Sequence, residues 1–473
     1  MPPRPRAVLV GVLVPGRDPA DLDASLDELA RLCDTLGLDA VGRLTQRRGG
    51  TGAATLLGSG RLRLLSMWTG GSGAVRRGPA PKGGDADEEG PEDLLLDDEL
   101  LAELPPLDSA EVPVDAEDDP RDAAARQARR ADIVVVDHEL TPSQLRNLRS
   151  ACGVEVLDRN GVIIEIFSQR ARSREARLQV ELARLAYLAP RLRELGGPSE
   201  RQRGGIGGKG AGETGHELDR RRVRDRMAEA RRELAEIEAS RHLRRERRHD
   251  LRQVALVGYT NAGKSSLMRA LTGAEPYVAD QLFATLDTTI RRLSPEVNPP
   301  VLITDTVGFI KDLPHSLVAS FRSTLDAALE AGLLLHVVDA SDPTWRAQEE
   351  VTRAVLSEIH AEDLPRVLVF NKCDRLPDGA EAALRAERPD AWFTSAHDPA
   401  RVALTHGAIA RFFAEKDPEV ELFVPWTHAA AMGLVHAQAR VLSEDFEDSG
   451  VRYRLRASAP IVARLRAAVG APD

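Results

Sequence analysis

The stretch VALVGYTNAGKSS, residues 254–266, decides the fold. Its first five residues are a short apolar run, the pattern of a buried strand. Gly258, Tyr259, Thr260, Asn261, Ala262, Gly263, Lys264 and Ser265 then follow the spacing G-x-x-x-x-G-K-S. Between a strand and a helix this is a phosphate-binding loop. Its glycines let successive backbone N–H groups turn toward phosphate oxygens. Lys264 offers a point charge to the β- and γ-phosphates, Ser265 offers a hydroxyl to Mg²⁺, and the following helix adds its positive end. The expected fold class is α/β.

Four pieces further along the chain select the nucleotide. VLITDTVG (301–308) is an apolar strand ending in Asp305, placed as an acid that holds Mg²⁺ through water; Thr306, Val307 and Gly308 follow it. The Gly308 N–H is placed for the γ-phosphate. RVLVFNKCD (366–374) is a second apolar strand, delivering Asn371, Lys372, Cys373 and Asp374. An ionised Asp374 accepts from guanine N1–H and the 2-amino group together, and adenine offers neither donor there. AWFTSAH (391–397) closes a third strand with Ser395, Ala396 and His397, a loop that can give an N–H to the base oxygen. FATLDTT (283–289) lies in the switch position. Thr285 is the choice for a second Mg²⁺ hydroxyl, and Thr288 and Thr289 are its rivals by sequence alone.

Working outward, 473 residues suffice for about three domains, and 42% apolar with 29% charged residues is ordinary globular usage. No apolar run approaches the roughly 20 residues of a spanning helix. Three scattered cysteines suggest neither a disulfide framework nor a metal site, so a cytoplasmic protein is expected. AVLVGVLV (7–14) reads as a strand, 21–36 as a helix with Leu22, Leu26, Leu29, Cys33 and Leu36 on one face, and 38–44, 133–137 and 154–157 as further strands. Together they predict a small α/β subdomain over 1–165.

Charge is unevenly spread. Between Asp85 and Asp122 there are 17 acids and one base, within a Gly- and Pro-rich segment, about 70–130, expected to be a disordered insertion. From Gln169 to Gln253 the net charge is +9. Two long helical patterns occupy 170–195 and 217–250, with Leu178, Leu182, Leu185 and Leu188 lining the first and Val223, Met227, Leu234 and Ile237 the second. GGIGGKGAGETG (204–215) joins them, either as a flexible linker or as backbone meant to approach phosphates.

The order and wording of these motifs resemble the translation-factor-class GTPases, and the HflX family among them. The resemblance runs through VVDHELTPSQLRNL (135–148), LDRNGVIIEIFSQRARSREARLQVELARLAYLAPRL (157–192), GGIGGKGAGETGHELDRRRVRDR (204–226), GYTNAGKSS, FATLD, DTVGF and NKCD. It implies an α/β subdomain (1–165), a helical pair (166–250), a P-loop GTPase domain (251–416) and a small C-terminal domain (417–473). It also implies GTP and GDP as ligands and a monomer that binds the large ribosomal subunit, protein and RNA, and splits or rescues stalled or stressed ribosomes. The 204–215 segment would then reach toward the peptidyl-transferase region.

The likeness assigns Gly258–Ser265 to phosphate, Ser265 and Thr285 to Mg²⁺, and Phe283, Ala284, Thr285, Leu286 and Asp287 to the first switch. It assigns Asp305–Gly308 to the γ-phosphate side, Asn371–Asp374 to guanine and Ser395–His397 to the base loop. Lys264, Thr285 and Gly308 are the expected catalytic groups. Asn261 resembles an asparagine that holds K⁺ in some related GTPases, or it is a loop-capping residue. Phe309 stands where Ras-like enzymes carry a water-orienting glutamine, so slow turnover stimulated by a partner is expected. The alternative reading is a nucleotide-gated module acting on a protein partner.

Overall fold

The computed structural model describes residues 3–75, 131–195, 215–245, 252–274, 282–283, 285–286, 288–297, 299–311 and 328–470. The acidic run 85–122, the loop residues 204–214, Ala284 and Asp287 lie outside them. The chain divides into two compact units, residues 1–33 with 37–159, and residues 34–36 with 160–473.

The first unit is built on a four-stranded parallel sheet in the order β2-β1-β3-β4. Its strands are β1 (Arg6–Leu13), β2 (Asp39–Arg47), β3 (Ile133–Val136) and β4 (Glu155–Asp158). Helices α1 (Pro19–Leu36), α2 (Ser59–Thr69) and α3 (Pro142–Cys152) connect them. Strands β1 and β3 are apolar without alternation because both their faces are covered. α1 buries Leu22, Leu26, Leu29, Leu32 and Cys33, whereas Leu36 is only half-buried. Thr141 caps α3 in a reciprocal box with Gln144, and Pro142 sits in its first turn. Arg159 is 2% exposed, and its charge is balanced by Glu28 and Asp137.

α4, Arg159–Arg170, begins at the last residue of the first unit and continues into the second, and the sequence reading did not anticipate it. Val162, Ile163, Ile164, Ile166 and Phe167 are all buried, so the helix has no polar face for periodicity to reveal. α5 (Arg174–Leu195) and α6 (Gly215–Arg245) pack against each other. The expected leucine stripe on α5 is corrected: Leu178 is buried, Leu182 and Leu185 are half-buried, and Leu188 is 37% exposed. Ala176, Val180 and Ala183 are buried instead, as is Ala230 on α6, small side chains that permit close helix approach. Arg226 makes a two-pronged 2.6 Å contact with Glu181 across the pair.

A six-stranded sheet follows in the order β10-β9-β8-β5-β7-β6. Its strands are β5 (Arg252–Gly258), β6 (Thr289–Arg292), β7 (Val301–Asp305), β8 (Leu333–Asp339), β9 (Arg366–Asn371) and β10 (Trp392–Phe393). All neighbours are parallel except the edge pair β6–β7. Helices α7 (Lys264–Thr272), α8 (Trp345–Glu358), α9 (Ala380–Glu387) and α10 (Pro399–Lys416) cover it. β5 is central, and the chain runs from it to β7 on one side and β8 on the other. The carboxyl ends of β5, β7, β8, β9 and β10 therefore open onto one edge, at the point where strand order reverses, the usual ligand crevice of such sheets.

A three-stranded antiparallel sheet, β11 (Glu419–Pro425), β12 (Arg440–Glu447) and β13 (Gly450–Arg456) in the order β11-β13-β12, packs with α11 (Ala429–Gln438) and α12 (Ala459–Val469) around its own core. Arg252 at the start of β5 pairs with Asp417, the residue that ends α10.

Candidate active site

The loop after β5 makes the first wall. Gly258 has φ +149°, and a Cβ there would lie 2.2 Å from the Val337 oxygen of β8. Gly263 has φ +89°, with Asn371 Nδ2 only 2.2 Å from where its Cβ would be. Only glycine fits either place. α7 begins at Lys264, so its free N–H groups face the crevice. Lys264 Nζ donates to the Gly258 oxygen at 3.0 Å and the Tyr259 oxygen at 2.8 Å. Burial pulls the Lys264 ammonium down to about 8, partly offset by Asp305. Asn261 is exposed, with φ +61°. Thr260 and Ala262 are buried.

A cluster of oxygens makes the second wall. Ser265 Oγ lies 2.7 Å from Thr285 Oγ1 and donates to Asp305 Oδ2 at 2.6 Å. Asp305 Oδ1 is buried and has no hydrogen-bond partner among the described residues. Burial raises the Asp305 carboxyl above its ordinary range, against the opposing pull of Lys264. Two hydroxyls and a carboxylate with a spare buried oxygen form an oxygen-only set that fits Mg²⁺. Of the three threonines, the fold brings Thr285 to this cluster. Thr289 is exposed on the edge strand β6, and Thr288 is half-buried outside it. Phe283 and Leu286 flank Thr285 as buried side chains.

The segment after β7 is stitched to the loop. Thr260 N donates to the Phe309 oxygen at 2.7 Å, and Phe309 N donates to the Gly258 oxygen at 3.1 Å. The Tyr259 hydroxyl accepts from Lys311 N at 2.8 Å. Thr306 Oγ1 donates back to the Leu256 oxygen at 2.7 Å, and Val307 is buried. Gly308 is so close that a Cβ would stand 2.9 Å from Thr260 Cα and 3.0 Å from Lys264 Nζ. The Phe309 ring is 2% exposed, inside the core formed by Ala255, Val257, Leu334 and Leu356.

The third wall carries a carboxylate at the rim. Asn371 Nδ2 donates to the Ala262 oxygen at 2.9 Å, and Ala396 N donates to Asn371 Oδ1 at 3.2 Å, so one carboxamide joins two loops. Lys372 (φ +62°) pairs with Asp339 at 2.7 Å. Asp374 is exposed, and its hydrogen bond with Ser395 holds its carboxyl below the ordinary range. Ser395 is fully buried and its Oγ accepts from His397 N at 3.2 Å. Cys373 is 5% exposed, and burial pushes its thiol up to about 11. Cys33 and Cys152, both buried, are pushed up to about 12.

Sequence reasoning missed Asp339, which pairs with Lys372, and Phe167, whose ring meets that of Phe283. Asp339 had a signal, an acid closing the apolar strand LLLHVVD as Asp305 closes its own. Phe167 had none, because its helix was not recognised.

Residues 121–168 match the family described as GTP-binding GTPase N-terminal, 170–248 its middle region, and 253–372 the family described as 50S ribosome-binding GTPase. GTPase HflX of Escherichia coli is 48% identical over 54% of this chain and 61% of its own. The protein of that name from Caldanaerobacter subterraneus is 36% identical over 98% of this chain and 93% of its own. That of Gluconacetobacter diazotrophicus is 51% identical over 99% of both chains. With a phosphate loop between strand and helix and likeness along almost its whole length, the chain belongs to the HflX family of GTPases, enzymes that bind GTP and hydrolyse it to GDP and phosphate.

Proposed function

We propose that this GTPase works on the large ribosomal subunit, in the cytoplasm, and that its cycle serves the splitting or rescue of stalled or stressed ribosomes. The observation that carries a partner-driven cycle is the burial of Phe309 in the core. A ring held there cannot orient water, so a second surface must complete the site. The description of the family matched by 253–372 supports the large subunit as that surface. So do the exposed Arg224, Arg231 and Arg232 of α6, suited to RNA phosphates.

In this reading the chain works as four segments, 1–165, 166–250, 251–416 and 417–473. Backbone N–H groups of 258–265 and the Lys264 ammonium hold the phosphates, and Asn371, Lys372 and Asp374 with the 395–397 loop hold guanine. Ser265 and Thr285 would hold Mg²⁺ directly and Asp305 through water; the ion supplies neutralisation of the β- and γ-phosphate oxygens. Water adds to the γ-phosphorus, the β–γ bridging oxygen leaves with GDP, and Lys264 and the Gly308 N–H stabilise the charge that spreads over the γ-oxygens. A K⁺ role for Asn261 is supported by its exposed carboxamide beside the loop. Equal rates in potassium and sodium salts would leave it a loop residue.

The decisive test is steady-state GTPase assay with and without purified large subunits. A rate increase of tenfold or more supports the proposal. No increase, with a non-ribosomal protein co-purifying in the GTP state, supports the alternative of a nucleotide-gated module with a protein partner.

A further inference from the structure

The first switch is held at two points, and one lies outside the nucleotide-binding sheet. Phe283 is 2% exposed and meets Phe167 of α4 edge to face, with ring centroids 4.5 Å apart and planes at 68°. Phe167 is itself fully buried. Phe283 takes φ +54°, a left-handed conformation that a side chain with a Cβ adopts only when its surroundings hold it. Two residues on, Thr285 Oγ1 reaches Ser265 and Leu286 is buried. Two residues of chain span at most about 7 Å, so the position of the Phe283 ring restricts where the Thr285 hydroxyl can go.

We propose that Phe167 is a positioning residue for GTP hydrolysis: its ring fixes Phe283 and thereby places Thr285 against the Ser265–Asp305 cluster. The inference rests on the reading of Thr285 as a group that serves the GTP state. Phe167 also lies three residues before the end of the helix that leads into α5, so the same contact links the switch to the arginine-rich helical pair. The edge-to-face pair supplies a defined geometry as well as apolar burial, which makes it a locator and not just filling.

The test uses the full-length protein with Phe167→Ala, Phe167→Leu, Phe283→Ala, the double alanine variant and Thr285→Ala, measuring kcat, KM and the affinities for GDP and a non-hydrolysable GTP analogue. Phe167→Ala and Phe283→Ala are each expected to lower kcat about tenfold and to weaken the GTP analogue severalfold. GDP affinity should stay within twofold, since the switch serves the γ-phosphate side. The double variant should be no worse than either single one, and Phe167→Leu should recover part of kcat by restoring apolar bulk. A general fold defect would instead weaken GDP and GTP analogue alike, and that outcome in both Phe167→Leu and Phe283→Ala overturns the proposal. Wild-type kcat in either alanine variant overturns it too, provided that Thr285→Ala is impaired. If Thr285→Ala has wild-type kcat, the underlying reading of the switch fails first.

Discussion

The side-chain amide of Asn371 donates to the main-chain oxygen of Ala262 at 2.9 Å, across 109 residues of chain. One carboxamide at the end of β9 thereby fixes the distance between the loop for phosphates and the loop for the base. Asn371→Ala strands the buried Ala262 oxygen, a cost of about 1–3 kcal/mol. GDP affinity should fall roughly 10- to 100-fold by the same energy, read by fluorescent-nucleotide titration. An unchanged dissociation constant would show that the two loops are located independently.

The proposed reader of the base is Asp374, exposed at the rim of the site. Replacing it with asparagine exchanges one acceptor for a donor, so GTP affinity should drop roughly 10- to 100-fold and xanthosine triphosphate should gain. Competition titrations with the three purine triphosphates read this directly. GTP preference surviving in Asp374→Asn would move the specificity elsewhere in the pocket.

Restoring the Ras-like residue should not restore its chemistry. Phe309→Gln puts a carboxamide among Ala255, Val257 and Leu334. The variant should lose about 2 kcal/mol or more of stability without a faster basal rate. A melting curve and a single-turnover assay on one sample suffice. Acceleration would mean that the side chain can leave the core.

His336, in the middle of β8, is 2% exposed, and burial aided by the nearby positive charges of Arg366 and Lys264 pushes its imidazole down to about 3. The folded protein keeps it neutral while the unfolded chain takes up a proton below its ordinary value of 6.5. Stability is therefore fully present above about pH 6.5 and drains away as pH falls toward 3, by up to about 1.4 kcal/mol per unit. Denaturant midpoints at pH 7 and pH 5, compared with His336→Asn, should show a steeper decline in the wild type. Parallel curves would assign the acid sensitivity to other groups.

On the proposed ribosomal reading, binding to large subunits should weaken steeply between low and physiological salt, because arginines that neutralise phosphates release counterions. Arg226 and Arg174 are already engaged by Glu181 and Glu233 within the helical pair, so the slope should be smaller than the arginine count implies. Sedimentation with subunits across a salt series measures it. A shortened chain lacking 74–128 should keep nucleotide binding, because every residue of the pocket lies beyond that segment.

The pocket was legible in the sequence where chemistry is local: a strand, its terminal acid or glycine and the next few residues carry each motif. Ala262 with Asn371, Lys372 with Asp339 and Phe167 with Phe283 were not, since strand order and register decide which loops meet. Strands β5, β7 and β9 announce themselves as apolar runs because their inner residues are covered, and the equally apolar β8 could have been read the same way. By the same logic α4 stayed hidden, for a helix buried nearly all round has no alternation to betray it. On α5 the leucines fit a periodic stripe, yet of the four only Leu178 is fully buried, with Ala176, Val180 and Ala183 buried beside it.

Cys373 sits between Lys372 and Asp374, beneath the part of the site that reads the base. With its thiol pushed up by burial to about 11, it stays protonated and poorly nucleophilic at neutral pH. Cys33 and Cys152 are more reluctant still. Peroxide and electrophiles therefore find none of these three thiols ready to react, and among the described residues the exposed thioether of Met67 is the more accessible sulfur.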